Sequence, residues 1–158
     1  MNRRQAIADS LAASVTRIDD LLIPWGFTFE FDGVHGSHTG PYASGRYVRD
    51  ATHIGLSCRD TIDNIYYQHS FVKVNLCSRE TETFVIGHDT LMRALGRSDD
   101  CWLLETNKLP DAIVTRDGGD RVAALIHDLS DTAAVVLREA GDEFQAIMRR
   151  GRRTYSIE

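Results

Sequence analysis

The chain has 158 residues, 42 % hydrophobic and 26 % charged, a balance that fits one globular domain (1–158) and excludes disordered and fibrous classes. A net charge of −5 and a pI near 5.6 argue against a nucleic-acid binder working through a broadly basic surface. Wholly apolar runs such as Ala133 to Leu137 are far short of the ~20 residues of a membrane helix, and no apolar segment follows the basic Met1–Gln5 stretch, so neither a membrane protein nor a signal peptide is expected.

Cys58, Cys77 and Cys101 are odd in number, widely spaced and without a CxxC pair, which predicts free buried thiols in a reducing, cytoplasmic setting. The charge is unevenly spread. Thr81 to Met148 holds thirteen acids against six bases, whereas Arg149, Arg150, Arg152 and Arg153 form a basic tail that could touch phosphate or simply complement a helix end.

Ile7, Leu11, Val15, Ile18 and Leu22 recur every three or four residues and predict an amphipathic helix over 2–22. Asn2 with Gln5 fits a capping box, and Pro24-Trp25-Gly26 stops the helix, with Trp25 at the corner. Phe27, Phe29 and Phe31 alternate with polar residues, which places all three rings on the core face of a first strand. Gly33, Gly36, Gly40, Pro41 and Gly45 then predict a long irregular loop, followed by strand-like runs at Arg46–Arg49 and His53–Arg59.

Ile62–His69, Phe71–Cys77 and Thr83–Ile86 read as further strands, with Val72, Val74 and Leu76 inward and Lys73 and Asn75 facing water. The short connections favour an antiparallel meander over parallel crossovers. His88 to Gly96 reads as a short helix closed by a left-handed glycine. Cys101–Leu104 and Ala112–Thr115 are read as edge strands, punctuated by Pro110 and Gly118-Gly119. From Arg121 onward, Val122, Ile126, Leu129, Ala133, Val136, Ala140, Phe144 and Ile147 keep one apolar face, which predicts a long C-terminal helix, single and kinked or split near Ser130-Asp131, with Gly141 a weak point. The expected fold is α+β, an antiparallel meander of about five strands with the first helix and the long last one on one face.

Chemistry concentrates in the glycine-rich loop. His35 and His38 form an H-x-x-H pair, two ligands where zinc wants three or four, so no metal or other cofactor is assigned. Tyr42 and Arg46, with backbone N–H groups of the glycines, offer a binding surface, although no nucleotide fingerprint is present. Arg46 and Arg49 point to opposite faces of a strand and cannot form one clamp. Cys58 alternates with Ile54 and Leu56 as a core thiol, and His127-Asp128 reads as surface polarity. No nucleophile elbow, HExxH helix or other catalytic signature occurs, so no catalytic residue is assigned.

Asp99, Asp100, Glu105, Asp111, Asp117 and Asp120 surround Trp102, a pattern that fits an interface anchor within an acidic docking surface. The functional expectation is therefore a non-catalytic interaction domain, an inhibitor, immunity or accessory factor with a basic protein partner, using His35, His38, Tyr42, Arg46 and Trp102. The alternative is a small-molecule or metal-dependent enzyme with its site in Gly33–Gly45, and a homo-oligomer seamed by the long helix is the third.

Overall fold

The computed structural model describes residues 2–74, 76–106, 112–139 and 144–150, with only the backbone described at Lys73 and Glu139. Helix α1 (Arg3–Leu22) starts where the Asn2 side chain accepts the Gln5 N–H at 2.8 Å. Gln5 turns instead to Asp9, so the reciprocal half of the capping box is not made. The five stripe residues are all buried, each contributing about 1.5–3 kcal/mol relative to exposure. A tight turn at Ile23–Trp25 and Gly26, at φ 92°, deliver the buried Phe27 to the sheet.

Five strands pair consecutively and antiparallel: β1 (Thr28–His35), β2 (Tyr42–Arg49), β3 (Thr52–Cys58), β4 (Ile62–Val74) and β5 (Arg79–Gly87). Tyr47, Ile54, Tyr67 and Ile86 stand opposite one another in successive strands and line the covered face. Tyr47 ties this face to α1, its hydroxyl 2.9 Å from Asp19 Oδ1 and 3.1 Å from the Val15 carbonyl. The neighbouring row, Glu30, Arg46, Gly55, Tyr66 and Gly87, occupies the other face. The Tyr66 ring lies where a side chain on Gly55 would sit, 2.0 Å from an added Cβ.

Helix α2 (His88–Ala94) follows β5, and Gly96 takes φ 72° after it, as the pattern predicts. A small hairpin, β6 (Leu103–Glu105) and β7 (Ile113–Thr115), leads to α3 (Arg121–Asp131), whose N-terminus is capped by Asp120. Helix α4 (Ala134–Glu139) and a helix over 144–150 (α5) complete the described chain. Phe144 meets His69 edge-on and Arg149 lies over Phe71, so α5 covers β4 on the same face that α1 covers over β1–β3.

The α+β architecture and the meander follow the sequence pattern, but several details differ. The long C-terminal helix is replaced by short ones: α3 ends at Asp131 and α4 begins at Ala134, because the apolar phase alone does not require an unbroken axis. Gly141, Pro110, Asp111, Asn75, Arg152 and Arg153 fall outside the described residues, as does the side chain of Lys73. The irregular segment is confined to 36–41, since β1 runs to His35 across a bulge between Phe31 and Gly33, where Gly33 takes φ 125°.

The three phenylalanines are not equivalent. Phe27 precedes the strand and is buried, Phe29 is half-buried, and Phe31, beside the bulge on an edge strand, is 56 % exposed. The run at 62–69 and the first part of that at 71–77 are one strand, β4, which ends at Val74; beyond the register shift near its start, its even-numbered residues from Asn64 onward belong to the uncovered face. Val72 and Val74 are accordingly 51 % and 72 % exposed, and Leu76, past the end of the strand, is 106 % exposed, the reverse of the inward placement read from alternation. The phase is set by Ile65, Tyr67, His69 and Phe71, which face the helices. Cys58 and Cys101 are buried thiols, but Cys77 is exposed near the β4–β5 turn.

Among the described residues no helix is long and apolar enough to cross a membrane.

Candidate functional site

Asp128 organises the region around Trp102. It sits on the buried face of α3 beside Val122, Leu125 and Leu129, fully enclosed, and its carboxylate collects five donors. Oδ1 accepts from the Trp102 N–H at 2.8 Å and faces His127 Nδ1 at 3.0 Å. Oδ2 accepts from the Leu103 N–H at 3.0 Å and lies 2.7 Å from His88 Nε2 and 3.1 Å from Cys101 Sγ. Burial pushes the carboxyl up, but the bonds from His88, the two backbone N–H groups and His127 outweigh it and hold the group at about 2.

The chain of donors continues inward. The buried Tyr67 hydroxyl lies 2.7 Å from His88 Nδ1. Burial and the charge of Asp128 keep this phenol protonated, and the Asp128 carboxylate, which only accepts, takes the Nε2 proton of His88. Burial, then the Asp128 bond and charge, push the Cys101 thiol up to about 12.

Ligand atoms of His88, Cys101 and Asp128 lie within 4.8 Å of one another, as metal ligands do. Here, however, Asp128 Oδ2 is taken up by three donors and Cys101 retains its proton, so the cluster as built shares protons and orders the backbone. Tyr67, His88 and Asp128 have no solvent exposure and cannot touch a substrate.

What reaches the surface is Trp102, 48 % exposed. Its backbone is held by Asp128 and its ring stacks on His127, with centroids 3.5 Å apart and planes within 5°. His127 is itself fixed between Asp128 and Asp131, the latter 3.3 Å from Nε2. Arg97, Asp99, Asp100, Arg116 and Asp131 surround the pair in a shallow cleft of about 340 Å³. Arg116 braces it through the carbonyls of Cys101 and Ser98.

The acids near Trp102 in sequence do not form one docking surface. Asp120 caps α3 and pairs with Arg17, Asp117 caps the Gly119 N–H, and Asp100 pairs with Arg97. Glu105 accepts the His88 N–H at the start of α2 and lines a different cleft. Reading His127-Asp128 as surface polarity is likewise corrected, since Asp128 is enclosed and His127 only half-buried.

The glycine-rich segment gathers less than its composition promises. His35 and His38 are exposed, and His35 rests against Tyr42 with ring centroids 5.3 Å apart. Tyr42 alone of His35, His38, Tyr42 and Arg46 lines the neighbouring cleft of about 470 Å³, with Ser57, Asp63 and Tyr66. Arg46 pairs with Glu30 at 3.3 Å on the uncovered face, and Arg49 lies on the other face. The residue that sequence reasoning missed is Arg59, which pairs with Asp63, lies over Tyr42 and donates to Ser37 at 3.0 Å and Thr39 at 2.6 Å, pinning the 36–41 loop.

Asp128 was also missed, although its spacing from Val122, Leu125 and Leu129 puts a carboxylate on an apolar helix face, which is the signal that could have found it. No protein-family model matches the chain, and no curated protein or solved structure matches it either.

Proposed function

We propose that the chain is a non-catalytic protein-interaction domain of the cytoplasm, an inhibitor, immunity or accessory factor, whose contact with a basic protein partner centres on Trp102. The observation that supports this reading is the presentation of Trp102: half-exposed, yet fixed through its backbone by a buried carboxylate and through its ring by His127. An aromatic ring already held in place loses little side-chain freedom on association, and a rim of charged groups around such a ring is the arrangement of interface hot spots. The net charge of −5 favours encounter with a basic surface.

The test is affinity capture with the wild-type protein and with Trp102→Ala, followed by purification of the captured protein and titration against both. The reading predicts a partner of high pI whose affinity falls at least tenfold, about 1.4 kcal/mol, in the variant. Equal binding by the two proteins, or turnover of a metabolite by the wild type, would overturn it.

A further inference from the structure

A cleft of about 470 Å³ on the uncovered face of the sheet shares no lining residue with the one around Trp102. Its floor is a row of small polar side chains that the strand register sets opposite one another: Ser44 in β2, Ser57 in β3 and Asn64 in β4. Tyr42 and Tyr66 belong to the rows on either side, and Asp32 reaches the cleft from the bulge of β1.

Tyr66 is laid on the backbone of β3. A Cβ added to Gly55 would lie 2.0 Å from both Tyr66 Cε1 and Cζ and 2.5 Å from the hydroxyl oxygen. A ring turned edge-on would bring its hydroxyl closer than its carbons, so the ring face covers Gly55 and the opposite face is turned away from the sheet. The polar groups of the cleft are largely uncommitted. The hydroxyls of Tyr42, Ser44 and Tyr66, the Asn64 amide and the Asp32 carboxylate make no side-chain hydrogen bond among the described residues. Ser57 gives its proton to the buried Asp63 at 2.5 Å, which leaves its oxygen as an acceptor. Arg59, the only basic side chain among the described lining residues, is already engaged by Asp63, Ser37 and Thr39.

We infer that the cleft binds a neutral sugar ring, a pyranose. The volume is that of a small-molecule site. A pyranose carries C–H groups on its faces and hydroxyls, each both donor and acceptor, around its rim. The free face of Tyr66 suits the first, and hydroxyl and amide groups, which also donate and accept, suit the second. A phosphate or carboxylate would instead face Asp32 and Asp63 with the donors of Arg59 taken up.

The experiment is saturation-transfer NMR on the full chain with the methyl glycosides of glucose, galactose and mannose and with N-acetylglucosamine. At least one should give a saturable signal with a Kd below about 10 mM, strongest on the C–H protons of one ring face. Asn64→Ala, at an exposed position, should weaken binding about fivefold and Tyr66→Ala about tenfold. Trp102→Ala should leave it unchanged, so this reading and that of the Trp102 surface can fail separately. Should Tyr66→Ala fail to fold, Ser44→Ala with Asn64→Ala takes its place. The inference is overturned by the absence of a saturable signal from every one of these sugars up to about 50 mM, by Asn64→Ala or Tyr66→Ala (or its substitute) binding as tightly as the wild type, by loss of the signal in Trp102→Ala, or by glycerol, which has hydroxyls but no ring, competing at equal concentration.

Discussion

Replacing Asp128 by asparagine tests whether the buried carboxylate is what fixes β6 and Trp102. The amide keeps one acceptor and turns the other into a donor. With its NH₂ at Oδ1 it faces the Trp102 N–H, and at Oδ2 it faces the Leu103 N–H, His88 Nε2 and Cys101. At best one buried backbone N–H is orphaned, at about 1–3 kcal/mol, and the remaining bonds lose their charge assistance. The expected destabilisation is about 3–5 kcal/mol, a fall in Tm of about 6–20 °C for a chain of this size.

Urea and thermal unfolding followed by circular dichroism measure it directly. The pH dependence is a second readout. The folded carboxyl titrates at about 2 against an ordinary 3.8, so its stabilisation is present above about pH 4 and lost as pH falls through 2. At about 1.4 kcal/mol per pH unit the difference is worth about 2.5 kcal/mol. The variant should lack this part of the acid response. A loss below about 1 kcal/mol, with an unaltered acid limb, would refute the assignment of Asp128 as the organising acceptor.

Gly45→Ala should cost about 2 kcal/mol in denaturant titrations, because the new Cβ would lie 2.3 Å from the Phe29 ring and 2.7 Å from the Glu30 carbonyl, whereas Gly36→Ala, with nothing within 4 Å, should stay within about 0.5 kcal/mol. A thiol reagent should modify one cysteine, Cys77, in the native protein and three in denaturant, since Cys58 and Cys101 are buried and each is pushed up to about 12; mass spectrometry gives the count. Val74→Lys with Leu76→Lys should leave the unfolding midpoint nearly unchanged, where inward-facing side chains would make the pair cost several kcal/mol.

Much of the fold is written in local pattern. The stripe of α1 marks its buried face, and the short spacing between apolar runs marks a meander. What the pattern left open was phase. In β4 both sets of alternating residues are apolar or aromatic near Phe71 and Val72, so alternation alone could not choose between them, and the helices that settle it arrive some 70 residues later. Only part of the candidate site was legible. Trp102 stood out as a large ring among acids, but the groups that hold it, His88, His127 and Asp128, come from two helices separated by the β6–β7 hairpin. Their meeting is a tertiary event that spacing along the chain does not record. His35 and His38, conspicuous in sequence, are both exposed, His35 at the end of β1 against Tyr42 and His38 in the turn that follows.

The arginine at position 49 joins the carbonyls that end the first helical segment to those that end α4. During synthesis, a nascent chain that has emerged only as far as the fifth strand would carry that guanidinium with two of its three acceptors still unmade. The opening helix and its strands should therefore remain sensitive to proteases until residue 138 is available, and a fragment ending before α4 should dock its first helix more loosely than the intact chain.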